Sequence, residues 1–161
     1  MKKINLIFAG FLGIGAVFCG CAKLTPQKTQ AVAFSIISPN LRLNDTGFIR
    51  SFKNQTELQV YSSGVSVLSL VAKNESVCMN NACDDELTFN EKFFKNAHYK
   101  GFLGEILGAK AIYGAKNLAK TDCGFEQNLG EISYSVCDDS GKIIKFSDKK
   151  AGVKISVREL L

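Results

Sequence analysis

Apolar and polar residues alternate with a period of two over much of the chain, and the period changes only in the middle. Ala31 to Ile37 has the composition of a strand and is ended by Ser38-Pro39-Asn40. Further strands are predicted over Phe48 to Phe52, Glu57 to Tyr61 and Val65 to Ala72. Leu58 with Val60, and Val65 with Val67, alternate on either side of Ser63-Gly64, which is the pattern of a hairpin. Glu75 to Met79 is one more strand, and together these segments form a meander.

The middle of the chain has helical spacing. Thr88-Phe89-Asn90-Glu91 matches a capping box, so a helix is predicted from Phe89, with Phe93 on the same face, to a stop near Tyr99 to Gly101. A second helix fits Phe102 to Ala109. Its face is formed by Phe102, Leu103, Ile106 and Leu107, while Gly104 and Gly108 weaken it. After Gly124 the strand period returns. Glu131 to Cys137 sets Ile132, Tyr134 and Val136 on one face, Asp138-Asp139-Ser140-Gly141 makes a turn, and Lys142 to Ser147 and Val153 to Leu160 complete a second meander. The fold class is therefore α+β: a largely antiparallel curved sheet, with a half-open barrel as one form and a β-sandwich as the alternative.

The N-terminal segment follows neither period. Met1-Lys2-Lys3 precedes an apolar stretch from Ile4 to Phe18, the charge pattern and length of a signal segment and short of a membrane span. It ends in Gly20-Cys21-Ala22 with no A-x-A site. This resembles the lipobox of bacterial lipoproteins, although Phe18 and Cys19 stand where that pattern usually has Leu and a small residue. The resemblance implies cleavage after residue 20, acylation of Cys21 and, because Ala22 is not Asp, anchoring at the outer membrane with the domain in the periplasm. Residues 22–30, with Pro26 among polar side chains, then read as a tether to a single domain over 31–161.

With 46% hydrophobic and 22% charged residues in 161, the composition is that of a folded domain. The charge of +5 includes Lys2 and Lys3 of the signal segment, and no basic run points to nucleic acid. Four further cysteines, Cys78, Cys83, Cys123 and Cys137, allow three disulfide pairings in an exported protein. Asn80 and Asn81 favour a tight turn joining Cys78 to Cys83, and that leaves Cys123 with Cys137. A zinc site from the same thiols lacks suitable spacing and a neighbouring histidine.

Catalytic patterns are missing from the sequence. The one histidine, His98, has no nucleophile motif beside it, and there is no G-x-S-x-G, H-E-x-x-H or P-loop. Asp84-Asp85-Glu86 reads as a solvated turn placing acids near a helix start, not as a cation loop. The expectation is a protein that is not an enzyme and uses no cofactor or metal.

The layout of meander, helical insertion and meander in an anchored periplasmic domain is similar to that of lipoprotein carriers and receptors of the LolA/LolB type. That resemblance implies helices covering a curved sheet over an acyl-binding cavity. Phe93, Phe102, Ile106 and Leu107 are then the candidate wall residues for an acyl chain or other apolar ligand, including the lipid of a lipoprotein. The other expectation is an envelope adaptor that binds a protein partner through a sheet edge or turn.

Overall fold

The computed structural model describes residues 25–73 and 75–161, so the signal segment 1–20 and the acylation site Cys21 lie outside the described residues. Six antiparallel strands come first: β1 (Lys28–Ile37), β2 (Arg42–Ser51), β3 (Gln55–Ser62), β4 (Val65–Lys73), β5 (Ser76–Met79) and β6 (Ala82–Asp85). Two helices follow, α1 (Glu86–Phe94) and α2 (Phe102–Leu107). Five more strands complete the chain: β7 (Leu118–Thr121), β8 (Gly124–Leu129), β9 (Ile132–Asp138), β10 (Lys142–Asp148) and β11 (Val153–Glu159).

All of the strands belong to one sheet in the order β6-β5-β4-β3-β2-β1-β11-β10-β9-β8-β7. The two meanders are thus joined where the first strand pairs with the last, Phe34 opposite Val157 and Ile36 opposite Ile155. The single sheet rules out the sandwich alternative. Among the described residues strands β6 and β7 are its unpaired edges, so the sheet is open. Two glycines accommodate its curvature: a Cβ on Gly47 would lie 2.2 Å from the Gln59 carbonyl oxygen, and one on Gly124 would lie 2.2 Å from that of Val136.

One face of the sheet is apolar. Phe34, Leu58, Val60, Tyr134, Phe146 and Val153 are among its buried side chains, and Phe89, Phe94, Phe102, Leu103 and Ile106 of the helices pack into the same core. Helices of nine and six residues gain little from their own hydrogen bonds, so this burial holds them in place.

Several boundaries differ from the sequence expectation. β1 begins at Lys28 and takes up the end of the expected tether. β2 begins at Arg42, because Leu43, Gly47 and Ile49 alternate toward the core across polar neighbours. The edge strands β6 and β7, and β8 beside β7, are short and mostly polar and have no apolar alternation that predicts them. Val65 and Val67 do not continue the buried alternation of Leu58 and Val60. The register of β3 and β4 shifts between Val60 and Tyr61, Val67 is the bulged residue, and Leu68, Leu70 and Ala72 take the core positions.

The helices also start and stop elsewhere. α1 begins at Glu86 with Asp85 as N-cap, its Oδ1 accepting the Thr88 N–H at 3.1 Å. An acid three residues earlier thus displaces the expected capping box at Thr88. The helix ends at Phe94, where Lys95 adopts a left-handed conformation, and α2 ends at Leu107 with Gly108 as its C-cap.

The disulfides pair as the turn chemistry suggests, Cys78 with Cys83 and Cys123 with Cys137. Cys78 and Cys83 face each other across the β5–β6 hairpin, whose turn residues Asn80 and Asn81 both have positive φ. All four sulfurs are occupied, which removes the zinc alternative for these thiols.

Candidate functional site

α1 lies over the β1–β2 connection, the bulge of β4 and the β5–β6 hairpin, and a cleft of about 330 Å³ opens between them. Phe89 and Phe93, stacked with centroids 5.5 Å apart, form its helical wall. Leu41 from the β1–β2 turn, Val67 and Leu68 from β4, and Met79 from β5 form the sheet side. The bulge accounts for Val67: the extra residue carries a second apolar side chain to the cleft beside Leu68. Val67 is 40% exposed, so the cleft reaches solvent.

Charges stand only at the rim. Lys92 Nζ contacts both carboxylate oxygens of Asp84 at 2.9 Å, tying α1 to the disulfide-bridged hairpin. Lys95 Nζ donates to the main-chain carbonyl of Lys92 at 3.2 Å. Across the opening, the Asn80 Oδ1 accepts the Ser69 N–H at 2.8 Å.

The α2 end of the cover is packed differently. Phe102 and Ile106 are fully buried and Leu107 nearly so. Phe94, Phe102 and Phe146 meet edge to face, with centroids 5.3 to 5.8 Å apart. Of the four residues expected to line a pocket, Phe93 lines the cleft. Phe102 and Ile106 fill the core, while Leu107 borders only a recess of about 40 Å³ at the opposite end of β1.

Buried polar groups fix this end. The Glu86 carboxylate accepts the N–H of Gly101 at 2.6 Å and of Leu103 at 3.2 Å, so the third acid of Asp84-Asp85-Glu86 anchors the start of α2 and is not a solvated turn residue. Gln127 accepts the Ile112 N–H at 2.8 Å and donates to the carbonyls of Ile112 at 2.9 Å and Lys116 at 2.7 Å. Between these two carbonyls the chain makes a left-handed turn at Tyr113, Gly114 and Ala115, a strained conformation for the two non-glycine residues.

An aromatic network completes the connection. Tyr99 Oη donates to Glu105 and accepts the Tyr113 N–H at 2.8 Å; burial, reinforced by the Glu105 hydrogen bond, pushes its hydroxyl pKa up. His98 stacks on Phe102 with centroids 4.0 Å apart, and its Nδ1 is 2.6 Å from Tyr113 Oη. Burial lowers its pKa, against a weaker opposing effect of Asp148 and Glu91. The half-buried ring is thus held between Phe102 and the Tyr113 hydroxyl within the cover.

A second recess, of about 590 Å³, lies on the sheet face away from the helices. Two cross-strand rows form its floor: Ser35, Ser156, Lys145, Ser135 and Glu126 in one, and Ile37, Lys154, Ser147, Ser133 and Asn128 in the other. Five of these ten residues are serines, short side chains that leave space between the lysines, Glu126, Asn128 and Ile37 of the same rows.

Among the described residues no group of three or more His, Cys, Asp or Glu could hold a metal ion, and no helix is long and apolar enough to cross a membrane. No protein-family model matches the chain, and no curated protein matches it in sequence.

Proposed function

We propose that this protein is a lipoprotein acylated on Cys21 and anchored to the outer membrane, whose periplasmic domain holds an acyl chain or another apolar ligand in the cleft beneath α1. The observation that carries this reading is the cleft itself, an apolar recess walled by Phe89, Phe93, Leu41 and Met79 and open to solvent. Its volume is at the lower end of the roughly 300–1,000 Å³ range of small-ligand sites. It lies at the Ile37 end of β1, and a ten-residue strand rising ~3.3 Å per residue separates it from the end nearer the anchor. Uptake and release of such a ligand need no covalent chemistry, no cofactor and no catalytic residue.

Native mass spectrometry of the protein purified from an envelope tests this reading. Wild-type protein is expected to carry a bound lipid in addition to its anchor, and Phe93→Ala to lose it. Wild-type protein without such an adduct would refute ligand carriage. The second reading is an envelope adaptor, favoured by the serine-floored recess on the outer face and by the solid packing under α2. It would then be the better account.

A further inference from the structure

We propose that the ligand of the cleft is a single-chain amphiphile with an anionic head group, of which a fatty carboxylate is the simplest form, its tail lying against Phe89 and Phe93 and its head beside Lys95. This rests on the reading of the cleft as an apolar ligand site and adds to it the charge and size of the occupant.

The rim carries two cations and one carboxylate. That carboxylate, Asp84, is already engaged by Lys92 through both oxygens. Lys95 has no such partner: among the described residues no carboxylate oxygen lies within 4.0 Å of its Nζ, and its one contact is the uncharged carbonyl of Lys92. One positive charge at the opening is therefore uncompensated. The far rim adds to this preference, because the Asn80 Oδ1 is taken by the Ser69 N–H while its amide N–H groups remain as donors. Lys95 and Asn80 thus offer hydrogen-bond donors to an incoming head group, and the rim's one carboxylate is occupied. A cationic head would meet the Lys95 charge unfavourably, and a neutral one would gain hydrogen bonds without the charge. The cleft volume, about 330 Å³, is at the lower end of small-ligand sites. A recess of that size suits one tail of medium length.

Isothermal titration calorimetry at low ionic strength, with the purified protein and either dodecanoate or dodecanol, separates the charge from the tail. Dodecanoate is expected to bind wild type roughly fivefold more tightly than dodecanol, the contribution of one exposed ion pair. Lys95→Gln should abolish that preference. Asp84→Asn, which frees Lys92, should increase it, the readout in each variant being the ratio of its own dodecanoate and dodecanol affinities. Equal affinity of wild type for the two compounds, or a preference unchanged in Lys95→Gln, would overturn the anionic assignment and leave the apolar cleft standing. Failure of both compounds to bind would overturn the cleft reading together with it.

Discussion

The two ends of the helical cover use the same kinds of apolar residue for opposite purposes. Under α2, Phe102 and Ile106 are sealed against Phe94 and Phe146, and Glu86 and Gln127 hold the main chain on either side. Under the C-terminal half of α1, Phe89 and Phe93 face turns and a bulge, with no continuous strand surface opposite, and a cleft remains. Close packing requires a complementary surface, which regular strands provide and turns do not. The comparison shows that an apolar helix face marks a core or a site according to what lies opposite it.

The largest expected effect falls on the sealed end. Ile106→Ala should lower stability by ~2–5 kcal/mol in urea unfolding and leave apolar-probe binding unchanged. Comparable loss of stability with loss of binding would merge the two ends into one site. Gln127→Leu orphans the Ile112 N–H and two carbonyls, so about 3 kcal/mol is expected from the same measurement. A near-neutral result would show that the left-handed turn at Tyr113 does not depend on this side chain.

Phe93→Ala sharpens the contrast from the open end. It removes a half-buried ring and should cost only about 1–2 kcal/mol while abolishing the binding of a fluorescent fatty acid. Unaltered probe affinity would place the ligand elsewhere. The smallest expected effect comes from His98. Its folded-state pKa is depressed below 6.5 by burial, so the unfolded chain takes up a proton before the folded one as pH falls. Stability is then fully present above pH 6.5 and declines below it, toward the depressed folded pKa. His98→Gln should flatten the melting temperature across that range. Persistence of the slope in the variant would assign it to other groups. Asp85 and Glu159, whose folded pKa values are lowered by hydrogen bonds, lose their contribution only below the ordinary carboxylate range.

The sheet and helix pair were legible where side-chain period and burial coincide. Ile132, Tyr134 and Val136 do lie on one buried face, as do Val153, Ile155 and Val157, and Asn80-Asn81 correctly marked the turn between Cys78 and Cys83. Edges were not legible. β6 and β7 have exposed side chains on both faces and no apolar alternation to reveal them. The cleft was read only in part. Phe93 follows from helix spacing, but Val67 reaches the cleft through a bulge whose one trace in the sequence is the slip of apolar phase from Val65 and Val67 to Leu68, Leu70 and Ala72. Leu41 adjoins a polar turn that reads as loop. The polar anchors were hidden for another reason: Glu86 and Gln127 are buried through backbone partners distant in sequence, and their residue types ordinarily indicate a surface.

The central claim is that an apolar chain occupies the cleft beneath α1, and photo-cross-linking with a diazirine-bearing fatty acid followed by peptide mapping tests it most directly. The account predicts label on the peptides containing Met79 and Phe93, displaced by excess unlabelled dodecanoate. Label on the strands carrying Ser135, Ser147 and Ser156, or none that dodecanoate displaces, would contradict it.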